Sequence, residues 1–171
     1  MSADDALEFV QKTHSALKYV CEKILSEELN IKGKRFLKSE YILVPLSYYV
    51  YKKNLSITPS NVESIKRWLI LASFNKRYTG RLESDLKEDI ELLCEDKGFQ
   101  DLIGKLGTQS IVEEWFDRPY EEEHLLTLMI LLRDAYDMRK GTVRLSSLNQ
   151  DELHIHHIFP KSVLKKCLGT I

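Results

Sequence analysis

The sequence predicts a mainly α-helical protein, with a helical, bundle-like body over residues 1–141 and a stretch of different character over 142–171. Apolar side chains recur in the body at spacings of three and four, the period of a helix with one buried face. Residues typical of helix starts and stops separate these segments, including Pro59 with Ser60 and the late Gly141. After Gly141 the pattern changes to strand-like alternation, followed by a proline.

The first half of the body predicts two helices. Residues 3–29 form the first, whose buried stripe is expected to contain Leu7, Val10, Leu17, Cys21 and Ile24, with His14 on the same stripe as a core residue. Residues 36–53 predict the second, bent near Pro45 because proline removes a backbone donor. Its tyrosines lie in an apolar run, which favours core packing over stacking on bases: Tyr41, Tyr48, Tyr49 and Tyr51.

The sequence of the second half of the body predicts three more helices. A helix entered at Pro59–Ser60 has a packed stripe of Ile65, Trp68, Leu69 and Ala72 and is broken at residues 79–81. Another follows from residue 82, with early acids that suit the helix dipole. Glycines loosen the stretch around 98–107, and a last helix runs from the acids 121–123 to Gly141. The acid run is interpreted as a solvated first turn rather than a metal site.

Composition limits the classes of function. The formal net charge is −1 over 171 residues, so the whole protein makes no electrostatic case for nucleic acid, although residues 140–171 hold five basic and two acidic side chains. Three widely spaced cysteines argue against a disulfide framework or a zinc ribbon. Neither a signal peptide nor a membrane-spanning apolar run is found in the sequence, so we expect a cytoplasmic protein that does not enter a membrane.

A histidine cluster is the constellation that can carry chemistry. His154, His156 and His157 lie within four residues. In an extended segment His154 and His156 share one face and His157 takes the other, so adjacent histidines can divide two roles. Pro160 ends the strand and Ser162 is a good N-cap, which predicts a strand, a turn and a helix with the histidines at the turn.

The sequence HHIFPKS at 156–162 resembles the opening motif of the HNH, or His-Me finger, nucleases. Its adjacent histidines are similar to those of the colicin-type members. The resemblance implies the start of a ββα-metal element, with His156 as the first metal ligand and His157 as the general base that activates water. It also implies a divalent cation (Mg, Mn, Ni or Zn) and weak DNA-phosphate contacts from the nearby lysines Lys161, Lys165 and Lys166. Imidazole suits both roles, because it binds transition metals and has a pKa near neutrality.

The helical region at 67–93 resembles the one that precedes the nuclease motif in GmrSD-type restriction endonucleases. Together the two resemblances cover residues 36–171. They imply an enzyme that cuts modified or foreign DNA in phage defence, with DNA as its partner. They also imply an N-terminal ParB-like nucleotide-binding domain, which is missing from this chain.

The chain departs from the family pattern after the motif. The family requires a central Asn and a further His, yet the nine residues after Ser162 contain no Asn, His, Asp or Glu. One histidine cannot hold a catalytic cation, since zinc takes about three protein ligands. No glycine-rich phosphate loop is found either. We therefore expect a truncated HNH element at 142–171, poorly anchored and without bound metal, in a fragment that is inactive alone.

Two other functions stay open. The chain could be a non-catalytic helical interaction module with a surface histidine cluster, or a small metal-binding protein that uses His154 and His156. Association into an oligomer, the identity of the cation and the DNA modification recognised are also left open by the sequence.

Overall fold

The computed structural model describes residues 2–32, 37–95, 97–106, 122–136 and 141–147. Within them the protein is mainly helical, as the sequence predicts. Six α-helices are described: α1 (Ala3–Tyr19), α2 (Leu43–Lys52), α3 (Pro59–Phe74), α4 (Leu82–Cys94), α5 (Phe99–Leu106) and α6 (Glu122–Leu131). A π-helical segment (Val20–Glu28) extends α1, and single 3-10 turns lie at Glu40–Ile42 and Leu145–Ser147. No helix among these residues is long and apolar enough to span a bilayer.

Helix α1 begins at a reciprocal cap, in which the Ser2 side chain accepts from the Asp5 amide and Asp5 accepts from the Ser2 amide. The buried stripe predicted for this helix was wrong. Leu7, Val10 and Leu17 are 59%, 60% and 40% exposed, and Cys21 is exposed as well. Of the predicted apolar set, only Ile24 is buried.

The buried side of α1 and of the π-helical segment that extends it consists instead of Ala16, Val20 and Ile24, which are spaced by four. Helix α1 packs against α2. His14 is exposed, so its interpretation as a core residue was also wrong.

Pro45 does not bend the second helix. It is the third residue of α2, in the first turn, where a backbone N–H has no partner within the helix to lose. The core role predicted for the tyrosines is confirmed for Tyr49, which is 5% exposed, whereas Tyr41 is 51% exposed. Tyr48 and Tyr51 are partly buried against the core.

Helix α3 lies at the centre of the core. Thr58 caps it by accepting from the Asn61 amide, and Pro59 occupies the first helical position. All four residues of the predicted stripe are buried: Ile65, Trp68, Leu69 and Ala72. The Trp68 ring packs edge-on against Phe99 of α5, with ring centroids 4.8 Å apart, and Phe99 in turn packs against Tyr49 at 5.1 Å. Aromatic contacts therefore connect α2, α3 and α5.

The later elements differ in extent from the predictions. The third helix ends at Phe74, before the predicted break at 79–81. The stretch expected to be loosened by glycines forms α5, since Phe99 and Leu102 bury one side of it against α3. The last helix ends at Leu131 rather than near Gly141, and Tyr136 pairs with Arg144 in an antiparallel bridge.

Candidate functional site

The histidine motif lies outside the described residues. The structure therefore does not place the predicted ligand His156 or the predicted base His157. The same holds for the other predicted site residues: His154, Lys161, Lys165 and Lys166. The last described residue is Ser147. Residues 141–147 are therefore the described residues that lie nearest to the motif in the sequence.

Residues 141–147 fold back on the chain that follows α6. Gly141 has a φ of 64°, a left-handed conformation that glycine adopts without strain. Arg144 lies over the Tyr136 ring, 5.4 Å from its centroid, and its Nε donates to the Tyr136 hydroxyl at 3.1 Å. That hydrogen bond, with the charge attraction to Tyr136, raises the pKa of Arg144. The Ser146 amide donates to the Arg133 carbonyl at 3.2 Å.

Two long-range hydrogen bonds connect Ser146 and Arg133 to the end of the π-helical segment and the residues just after it. Lys32 Nζ donates to the Ser146 carbonyl at 2.7 Å, across 114 residues of sequence. Arg133 Nη1 donates to the Glu28 carbonyl at 2.7 Å. The first six residues of the predicted nuclease element, 142–147, therefore contact the helical body. The expectation of poor anchoring over 148–171 concerns residues outside the described ones.

The loop between α3 and α4 has an unusual backbone. Lys76 and Tyr78 both have positive φ, at 51° and 66°. A left-handed conformation is unfavourable for side chains other than glycine, and it persists where surrounding contacts over-determine it. The Arg77 amide donates to the Ala72 carbonyl at 2.9 Å, so the chain stays close to the end of α3. Contacts from outside the loop are therefore needed to hold Arg77 and Tyr78 in place.

Asp89 of α4 supplies those contacts. Arg77 binds its carboxylate in a two-pronged arrangement, from Nε to Oδ2 at 2.8 Å and from Nη2 to Oδ1 at 2.6 Å. The Tyr78 hydroxyl donates to the same carboxylate. The side chain of Asp89 is 2% exposed and that of Arg77 is 12% exposed. Three donors thus satisfy one buried carboxylate, which is the condition for a charge to be tolerated in a core.

The network is electrostatically coupled. Burial by itself would lower the pKa of Arg77, but hydrogen bonds and charge attraction to Asp89 outweigh it and raise that pKa. Burial, then the hydrogen bond and the negative charge of Asp89, also raise the pKa of the Tyr78 phenol. Arg77 therefore stays charged and Tyr78 stays neutral at any ordinary pH. Such a unit holds the loop in its shape.

Arg77 also lines a shallow cavity of about 320 Å³. The lining is polar and comes from the loop and the start of α4: Asn75, Lys76, Arg77, Thr79, Gly80, Arg81 and Asp85. The Arg77 guanidinium is already bound to Asp89 at 2.6 Å and lies 4.0 Å from the carboxylate of Asp85. Its charge is therefore offset by carboxylates of the same chain.

A larger, apolar groove of about 910 Å³ runs between α1, α2 and α4. Its lining is almost wholly apolar or aromatic: Phe9, Thr13, Leu17, Glu40, Tyr41, Leu43, Val44, Ser47, Tyr48, Tyr51 and Ile90. Phe9 and Tyr51 form an edge-on ring contact in it, with centroids 6.0 Å apart. The Ser47 hydroxyl is buried and has no hydrogen-bond partner among the described residues. The groove lacks the convergent charged groups that a catalytic site needs, so its chemistry is that of an apolar docking surface.

Metal ligands are not clustered in the described residues. They contain no group of three or more His, Cys, Asp or Glu side chains that could hold a metal ion. His14 is isolated on the surface of α1. The Cys94 thiol is not in a disulfide and lies 2.9 Å from the Tyr48 hydroxyl.

Sequence reasoning missed the Arg77–Tyr78–Asp89 network, although a signal was present. In α4, Leu82, Leu86 and Leu93 form the apolar stripe, and Asp89 occupies the remaining position of that stripe at helical spacing. A carboxylate on a buried helix face requires a cationic or hydrogen-bonding partner. The adjacent Arg77 and Tyr78, one short loop upstream, were the candidates.

The chain was also compared with protein-family models, curated proteins and solved structures, and none of the three comparisons finds a match.

Proposed function

We propose that the chain is part of a metal-dependent HNH-type DNA endonuclease that restricts modified or foreign DNA. The observation that carries the proposal is the sequence motif at 156–162, in which adjacent histidines are followed by Pro160 and Ser162. A second support is the helical region at 67–93. It forms a helix–loop–helix unit of α3 and α4 closed by the Arg77–Asp89 pair.

In this proposal the two histidines have different tasks. A divalent cation, when bound, stabilises the negative charge that develops on the scissile phosphate. His156 is one ligand of that cation. His157 accepts a proton from the attacking water, and Lys161, Lys165 and Lys166 contact the DNA backbone weakly. Zinc takes about three protein ligands, and within the described residues no group of three or more His, Cys, Asp or Glu side chains could hold the cation by itself.

Ser147 limits how far the motif can lie from the helical body. His156 is nine positions after Ser147, a distance of at most ~30 Å for a fully extended chain. Ser146 is hydrogen-bonded to Lys32, four residues after the end of the π-helical segment. In this proposal the motif is therefore tethered to the helical body by a short segment.

The test separates His156 from His157 in the protein encoded by the complete gene. His156→Ala should weaken Mn²⁺ or Zn²⁺ binding in calorimetric titration and reduce cleavage together with it, with partial recovery at high metal concentration. His157→Ala should leave metal affinity nearly unchanged and slow single-turnover cleavage by ~10²–10⁴-fold, the size of a general-base contribution. His154→Ala is the matched control, since it changes a histidine of the same segment outside the motif.

Three outcomes would contradict the proposal or its assignment of roles. Loss of metal binding in His157→Ala but not in His156→Ala would place the ligand one residue later. Equal effects of His154→Ala and His156→Ala on metal binding would favour the small metal-binding protein. Unchanged cleavage in both His156→Ala and His157→Ala would remove the motif from the reaction. The 171-residue chain by itself is expected to leave plasmid DNA intact with Mg²⁺, Mn²⁺, Ni²⁺ or Zn²⁺.

A non-catalytic helical interaction module is the second candidate. The exposed apolar side chains of α1 and the apolar groove beside them favour it, because patches of this kind mark interaction surfaces. The interaction module predicts that divalent metals give no binding signal in calorimetry and that His157→Ala has no effect on DNA cleavage. The two candidates are therefore separated by the same titration.

A further inference from the structure

One face of α1 is apolar, exposed and not covered by the rest of the described chain. We call this set the α1 stripe: Leu7, Val10, His14, Leu17 and Cys21. Its members alternate at spacings of three and four, a seven-residue repeat whose first four members lie in α1 and whose last, Cys21, lies in the π-helical segment. Within α1 such a repeat forms a seam that is suited to pairing with a second helix.

The α1 stripe continues into the apolar groove. Leu17 belongs to both, and across the groove Tyr41 and Val44 are 51% and 43% exposed. With Phe9, Leu7 and Val10, these half-exposed side chains form a patch on the order of 500 Å², near the upper end of the ~300–600 Å² found for the largest patch of a monomer. A stable interface buries ~800 Å² per partner, which this patch and a polar rim together can supply.

Charged residues on the edge of the α1 stripe define the kind of helix that fits. Asp4, Gln11 and Lys18 are spaced by seven residues, so they form one row along an edge of the α1 stripe. Asp4 and Lys18 are both exposed. The row is acidic at one end, neutral in the middle and basic at the other. It is therefore complementary to a reversed copy of itself.

We propose that the α1 stripe binds α1 of a second copy of this chain, in an antiparallel arrangement about a twofold axis near Gln11. Leu7 then packs against Leu17 of the second copy, and Val10 against His14. In the same register Asp4 of each copy lies beside Lys18 of the other, which gives two ion pairs. Because the surface is paired with itself, the contact closes as a dimer instead of extending into a filament.

The parallel alternative is less favourable on the same observations. It would bring Lys18 beside Thr13, with no acid opposite, and leave Asp4 without a base. The Lys18–Glu22 pair within α1 is long, at 3.9 Å, and solvent-exposed, so it contributes little against a new pair.

The first experiment measures association of the 171-residue chain by sedimentation equilibrium over a range of protein concentrations. We expect a monomer–dimer equilibrium. Val10→Glu should weaken dimerisation by more than ~100-fold, because one carboxylate per copy would enter an apolar contact. Leu131→Glu on α6 is the matched control, since Leu131 is 62% exposed and lies far along the chain from α1. Both positions are exposed, so neither variant should unfold the monomer, and circular dichroism checks this.

The second experiment tests the orientation by exchanging charges. Asp4→Lys alone and Lys18→Asp alone should each weaken the dimer by ~5–20-fold, because each replaces two attractions by two repulsions. The double exchange should restore it to near the original affinity. A chain that stays monomeric, or a dimer that Val10→Glu leaves intact, would overturn the proposal. A double exchange that weakens the dimer more than either single change would overturn the antiparallel register.

Discussion

Removal of the Asp89 carboxylate is expected to be among the most destabilising single changes in the described part of this protein. Asp89→Ala deletes two hydrogen bonds from Arg77, at 2.8 and 2.6 Å, and the one from Tyr78. It leaves a guanidinium 12% exposed without its main partner. Breaking a buried ion pair in this way costs ~3–5 kcal/mol. Glu88 lies 3.9 Å from Arg77 and still offsets part of its charge. We therefore expect a loss of unfolding free energy at the lower end of this range, about 3 kcal/mol.

That loss is large relative to a typical unfolding free energy of ~5–15 kcal/mol. It is measured by urea unfolding followed by far-UV circular dichroism and by tryptophan fluorescence. The buried Trp68 ring lies 6.5 Å from the Tyr78 ring and so senses this region. Glu8→Ala is the control, because it breaks the exposed Glu8–Lys12 pair at 2.6 Å and should leave the urea midpoint unchanged within error.

A double-mutant cycle separates the ion pair from simple packing. Arg77→Met should cost ~3–5 kcal/mol, since it leaves a carboxylate 2% exposed with Tyr78 as its only remaining donor of the three. The combination Arg77→Met with Asp89→Leu should cost less than either single change, because no unpaired charge remains. A coupling free energy of at least ~2 kcal/mol is expected for groups in direct contact. Additive losses in the double variant would refute this account of the network.

Three further predictions concern single contacts. Tyr78→Phe should remove a loss of stability that the parent protein shows at alkaline pH. The folded parent protein holds the Tyr78 proton to a higher pH than its unfolded chain does. Its free energy of unfolding should therefore fall above about pH 10 by ~1.4 kcal/mol per pH unit, and the variant should lack this fall. Thr58→Ala should cost ~1 kcal/mol in urea unfolding, because the Asn61 amide loses its cap, and an unchanged midpoint would contradict the capping box. Lys32→Met should increase amide exchange at Ser146 while exchange within α3 stays slow, because the carbonyl of Ser146 loses its donor from the helical body.

The helical class and the packed stripe of α3 could be predicted from the sequence, because both follow from local patterns. Ile65, Trp68, Leu69 and Ala72 repeat at the helical period between a clear cap and a loop, and all four are buried. Periodicity also identified α1 as a helix, but it indicated the wrong face. It reports that a stripe is apolar; it does not report whether another element of the same chain covers that stripe.

The sequence by itself determined that this chain is mainly helical and where several helices begin, and it supplied the short motif on which the nuclease proposal rests. Only the tertiary structure showed that Ala16 is buried while Leu17 stays 40% exposed in the apolar groove, and that Asp89 is held by Arg77 and Tyr78 across the α3–α4 loop. The physical reason is the range of the forces involved. Helix periodicity and capping act between residues three or four apart, whereas the partner of a buried carboxylate and the cover of an apolar face depend on how whole helices pack.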